Sequence, residues 1–289
     1  MIITLIAVFL RILSVPLGNV FQKQLTERGN HPLLINFLSY LVLAVISLAI
    51  LPTMMRSSLP FDFWLYSVTG GILGALGNGY IVKALQKGDL SILGPVNSYK
   101  AVIGIIFGIF LLGEIPNLYG LLGIALIVFG SYFVLDTVKE RFSLALFRRK
   151  ELQYRIIAMV FTAIEAIFIK KVILASSPIM SLATWCWFGC LFSFMFLFVF
   201  GVNFRMELKK ITVSDFTKYL YIVICIGAMQ FFTNFLFDRM PVGYALSLFQ
   251  LSSIVSILLG YRIFHEINIR KKLAGAVIMM SGAITIIMT

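Results

Sequence analysis

Apolar positions along this chain do not alternate with polar ones. They run on in blocks of about 20 residues, each closed by a short polar or basic stretch. The blocks lie near 2–25, 33–54, 63–86, 90–112, 117–136, 154–175, 179–201, 217–238, 242–264 and 271–288. A helix of that length spans the hydrocarbon of a bilayer, and only a helix satisfies its own backbone inside such a continuous run. A membrane barrel would show alternating strands instead. The pattern therefore predicts an all-α integral membrane protein with ten transmembrane helices. The longest connections, 136–153 and 203–216, leave almost no room for a soluble domain. The first block starts at Met1 without a basic n-region and is followed by nine more, so it reads as a retained span and not a cleaved signal.

The blocks repeat. Sliding the sequence by 152 residues superposes Gly108 on Gly260, Glu114 on Glu266, Ile115 on Ile267, Gly123 on Gly275 and Gly130 on Gly282 without a gap. Blocks four and five thus recur as nine and ten. The repeat unit holds five spans, an odd number, so its two copies enter the membrane in opposite directions: two inverted five-helix repeats. The boundaries expected are 1–136 for the first, a basic connecting loop at 137–153, and 154–289 for the second. Glu114 and Glu266, each at a span end before a short connection, suit a structural task, capping the following helix or tying the hairpin.

Composition agrees with this class, at 60% hydrophobic and 12% charged. The net charge of +12 is not read as a nucleic-acid signal, because the Lys and Arg residues gather in alternate connections, as orientation signals do. Taken alone, that bias puts the odd connections in the cytoplasm and both termini outside. Cys186, Cys190 and Cys225 all fall inside apolar blocks and read as small core hydrophobes. With only His31 and His265 near span ends, no metal site or cofactor is expected.

The polar residues left inside the blocks are the functional candidates. Lys100 stands about ten residues from either end of its block, beyond the reach of snorkelling, and an ammonium there is expected to face a wet cavity or a protein partner. Asn97 shares its face. Glu165 lies at a similar depth in the sixth block; a carboxylate there is protonated, pairs with a base or binds a cation. It is the proton-coupling candidate. Arg11 and Asn19 make the first block too polar for a lipid-facing anchor, and Pro16 can bend it around a cavity. Asn78 sits among Gly70, Gly74, Gly77 and Gly79, where it serves substrate contact or a cross-helix hydrogen bond equally well. Gln230, Asn234 and Asp238 form a stripe in the eighth block, Gln250 opens the polar part of the ninth, and Trp185 is a weaker candidate. The substrate-binding set is therefore Arg11, Asn19, Asn78, Asn97, Lys100, Glu165, Asn234 and Gln250.

Leu-Leu-Gly-Glu-Ile-Pro at 111–116 followed by Gly123 and Gly130, and Phe-His-Glu-Ile-Asn at 264–268 followed by Gly275 and Gly282, are similar to the EamA-like branch of the drug/metabolite transporter superfamily. Pro16 to Lys23, then His31-Pro32, resembles that family's first helix, although its usual tryptophan near Pro16 is absent. The resemblance implies a central cavity lined by spans one, three, four, six, eight and nine, alternating access, and no nucleotide hydrolysis. It also implies cytoplasmic termini, against the charge tally, and the charge tally is the reading taken here. The expected location is a cell membrane, the bacterial inner membrane first.

The expected function is secondary transport of a small polar or zwitterionic, amino-acid-like metabolite, with its ammonium toward Glu165 and its carboxylate toward Lys100. The alternatives are a carrier of phosphorylated or nucleotide-linked anions and a flippase for a lipid-linked sugar. Catalysis is not expected, since no nucleophile–base set, metal motif or phosphate loop is present. Expected partners are the small-molecule substrate, membrane lipid and protons, with no nucleic acid, in a monomer or homodimer.

Overall fold

The computed structural model describes residues 2–96, 100, 103, 107, 110, 117–135 and 149–287, and every regular element among them is helical. In chain order these are α1 (Ile2–Glu27), α2 (Pro32–Ser47), α3 (Leu51–Met55), α4 (Phe61–Lys87), α5 (Leu90–Val96), α6 (Leu118–Leu135) and α7 (Lys150–Ala175). They continue as α8 (Pro178–Val199), α9 (Phe204–Leu208), α10 (Val213–Arg239), α11 (Val242–Phe249), α12 (Ser252–Phe264) and α13 (Ile269–Ile287). Four helical stretches among the described residues are long and apolar enough to cross a membrane: Ile2–Glu27, Pro32–Met55, Pro178–Val199 and Val213–Arg239.

Local chemistry sets the helix starts. His31 caps α2 by accepting a hydrogen bond from the Leu33 N–H at 3.3 Å, with Pro32 at the first helical position, where its missing N–H costs nothing. Ser177 and Pro178 repeat that arrangement at α8. At α10, Thr212 and Asp215 form a reciprocal capping box, and Asp215 also takes a 2.9 Å contact from Arg28 just beyond α1. Helix α1 runs unbroken through Pro16.

The block 242–264 is not one helix. It breaks between Phe249 and Ser252, where Gln250 Nε2 donates to the Leu246 carbonyl at 2.7 Å and Ser252 Oγ donates to the Phe249 carbonyl at 2.7 Å. These side chains compete with the helical ladder for its carbonyls, and the backbone tightens to three-residue turns. Irregular backbone at such depth is tolerated where protein or a cavity surrounds it.

Small residues let helices meet backbone to backbone. On α4, a Cβ at Gly71 would collide with Phe188 of α8, and one at Gly74 with the carboxylate of Glu165 on α7. Helices α6 and α13 are packed the same way: a Cβ at Gly130 would lie 2.7 Å from the Gly275 carbonyl, and one at Gly282 would lie 2.5 Å from that of Gly123. The 152-residue shift exchanges these two contacts, since it carries Gly130 to Gly282 and Gly123 to Gly275.

Glu266 reaches further than its expected task. The chain turns through left-handed backbone at His265 (φ 53°) and Asn268 (φ 62°), which aims the Glu266 carboxylate across the molecule. There it accepts from the N–H groups of Leu90 and Ser91 at 2.8 and 2.9 Å and from the Ser91 hydroxyl. The helix it caps is therefore α5 and not the following helix. Lys23 stands 3.6 Å and Lys272 3.9 Å from the same carboxylate, and all three side chains are buried. Glu114, its counterpart in the first half, lies outside the described residues.

Candidate functional site

A cavity lies between α1, α4, α7, α10 and α11, with Lys100 also in its wall. Its volume is about 90 Å³, several times the roughly 10–15 Å³ that one water requires on the same measure. It is a space for a solute or a water cluster inside an apolar bundle.

Helix α7 supplies one wall. Arg155, Thr162, Glu165, Ala166 and Ile169 all line the cavity, at the seven-, three- and four-residue spacings that keep side chains on one helical face. The Glu165 carboxylate rests on the backbone of α4 at Gly74, and the Trp185 indole N–H of α8 donates to its Oε1 at 2.7 Å. Trp185 in turn packs at 4.7 Å against Tyr40, the rings tilted by 51°, and the Tyr40 hydroxyl accepts from Asn78 Nδ2 at 2.8 Å. The carboxylate is thus oriented by a chain of three buried or half-buried polar groups from three helices.

Cations face it. Lys100, Arg11 and Arg155 line the same cavity as Glu165. Arg11 donates from Nε to Thr233 Oγ1 at 3.0 Å and lies 4.0 Å over the Phe249 ring, at the end of the interrupted helix. Arg155 donates from Nε to the Leu93 carbonyl at 3.0 Å. Both guanidinium groups are anchored through Nε, an arrangement that leaves the paired terminal nitrogens for a planar anion. Among the described residues, three cations and one carboxylate converge on the cavity.

Of the residues expected from the sequence, Arg11, Asn19, Asn78, Lys100 and Glu165 are brought together in this wall. Asn97 lies outside the described residues. Asn234 and Gln250 are not among the lining residues. Asn234 accepts from Gln230 at 2.8 Å and donates to the Pro178 carbonyl at 3.1 Å, tying α10 to the start of α8. Gln250 is spent on the helix break. In their stead the wall contains Gln230, Thr233 and Phe249. Arg155 follows closely on a basic connection; its seven-residue spacing to Thr162 is the signal that points inward.

A charged cavity enclosed by helices that expose broad apolar surfaces defines a membrane carrier in form. The EamA-like transporter family profile matches residues 2–136 and again 150–288. The chain belongs to that family, within the drug/metabolite transporter superfamily, and is an integral membrane protein. Members of the family are transporters and not enzymes. The fold matches 28 chains of solved structures. One of them, described as "Crystal structure of protein", aligns over 98% of this chain and 95% of its own, with a TM-score of 0.72 and 15% identity. No curated protein matches the sequence significantly.

Proposed function

We propose that this protein is a secondary active transporter, built from ten transmembrane helices in two inverted repeats of five (1–136 and 154–289, joined by a basic loop), that moves a small polar metabolite by alternating access. The carrying observation is the facing of Lys100 and Glu165 in one interior cavity, flanked by Arg11 and Arg155. A zwitterion of the amino-acid type fits that pair, its carboxylate toward the cations and its ammonium toward Glu165. Glu165 is also the group through which protons couple to the solute, since a buried carboxylate exchanges charge state with the ligand that neutralises it. The bacterial inner membrane is the proposed location.

One feature favours a second reading, a phosphorylated or otherwise multiply charged anion: among the described lining residues the cations outnumber the carboxylate three to one. Thermal stabilisation of the purified protein separates the two, because a ligand that binds only the folded state raises its apparent stability. Stabilisation by amino acids and their analogues that is lost in Lys100→Ala supports the first reading. Stabilisation confined to phosphorylated solutes replaces it with the second, and no stabilisation by either class rejects both.

A further inference from the structure

One end of the central cavity is stopped by an apolar plug. Val20 of α1, Ala84 and Leu85 of α4, and Leu90 and Leu93 of α5 form a buried cluster, with Leu259 and Phe264 of α12 packed against it. Ile81 belongs both to the cavity wall and to the packing around this cluster, so the two are contiguous. The plug is made by both halves of the chain, since α1, α4 and α5 come from the first and α12 from the second.

The Glu266 carboxylate fastens this plug. It takes three hydrogen bonds from the N–H groups of Leu90 and Ser91 and the Ser91 hydroxyl. Lys272 Nζ donates to the same hydroxyl at 2.5 Å, and Lys23 Nζ donates to the Gly88 carbonyl at 3.1 Å while lying 4.4 Å from the Phe264 ring centroid. Every one of these contacts except that of Lys23 with Gly88 joins the first half to the second. Hydrogen bonds are short and directional, so a carboxylate held by several donors is either seated or withdrawn. The α6–α13 seam joins the same halves differently, by close backbone contact at its glycines.

Arg155 links the plug to the cavity. Its side chain lines the cavity, and its Nε donates to the Leu93 carbonyl of α5 at 3.0 Å. An anion in the cavity that draws the guanidinium therefore acts on α5 without touching Glu266.

We infer, on the transport reading above, that Glu266 seated on Leu90 and Ser91 is the latch of a gate closing this end of the cavity, and that Arg155 couples the gate to the solute. Opening parts α5 from the turn at 265–268 and withdraws the carboxylate; closing reseats it. A solute shifts such an equilibrium only by interacting differently with the two states, and the hold of Arg155 on Leu93 supplies the difference.

Hydrogen–deuterium exchange of the full-length protein in nanodiscs, read by mass spectrometry, tests this. Segments 88–93 and 264–272 should open together, exchanging faster than 276–282 in the α6–α13 seam. Ser91→Ala removes the hydroxyl between Glu266 and Lys272, and should speed exchange in both segments about tenfold, the weight of one hydrogen bond to a charged group, with the seam unchanged. Arg155→Gln should speed both segments too, although its bond goes to Leu93 and not to the turn. Wild-type segments that exchange no faster than the seam overturn the gate, and that comparison needs no variant to fold. A Ser91→Ala effect spread equally over the seam also overturns it, as loss of the whole fold. An Arg155→Gln effect confined to 88–93 overturns the coupling. These rates are measured without solute, so failure of the gate leaves solute stabilisation standing, and absence of solute stabilisation rejects the transport reading separately.

Discussion

Trp185 donates its indole N–H to Glu165 at 2.7 Å, and this bond orients a carboxylate that shares the cavity wall with Lys100. A carboxylate held by a neutral donor keeps its orientation in either charge state. Its charge can therefore change without the cavity losing shape, which is the property a coupling group needs.

Orientation and charge can be separated at this pair. Glu165→Gln retains an oxygen for Trp185 but no titratable proton, so uptake into proteoliposomes should continue with its pH dependence removed. Unchanged pH dependence in that variant would rule out the coupling role. Trp185→Phe keeps the charge and loses a hydrogen bond to it, at a cost of about 1.5–3 kcal/mol. It should weaken apparent solute affinity while preserving the pH profile.

Gly74 is the floor under that carboxylate, and a methyl group there would meet its oxygens directly. Gly74→Ala should displace Glu165 and separate α4 from α7, with an overpacking cost of about 1–3 kcal/mol. Transport should fall further than thermal stability. An active Gly74→Ala protein with wild-type affinity would show that the position of Glu165 is immaterial.

Arg11 combines a 3.0 Å bond to Thr233 with a face-on approach to Phe249, geometry that a lysine ammonium cannot reproduce. Arg11→Lys should therefore lose about 1–2 kcal/mol of ligand-induced stabilisation. Equal stabilisation of the variant and the wild-type protein would remove Arg11 from the binding set.

Glu266 is predicted to hold the structure and not the solute. Its replacement by Gln removes the carboxylate that Lys23 and Lys272 share and strips charge from the cap of α5, a loss of about 3 kcal/mol or more. The measurement is the fraction of folded protein after heating in detergent, read by size-exclusion chromatography. Lys23→Met with Glu266→Gln should recover part of the loss, because the double change removes a charge from each side.

Length and continuity of the apolar blocks made the helices and the membrane class legible, and the isolated charges Arg11, Lys100 and Glu165 marked the cavity wall. Three things were not legible. Arg155 follows a basic connection in sequence, so its inward face is visible only through its spacing to Thr162 and Glu165. Asn234 and Gln250 are polar residues whose bonding is spent on neighbouring backbone, which no spacing distinguishes from a ligand contact. The helix that Glu266 caps is distant in sequence, and only the left-handed turn at His265 aims it there.

Among the described residues none of α6 or α13 lines the central cavity, yet the two helices meet through two glycine contacts that trade places when the halves are exchanged. A surface that maps onto itself in this way is what a two-fold homodimer presents. Within the single chain it joins the two family-matched halves, 2–136 and 150–288, by a seam of backbone contacts. Cut in the basic loop, its halves would still own complementary faces on which to reassemble.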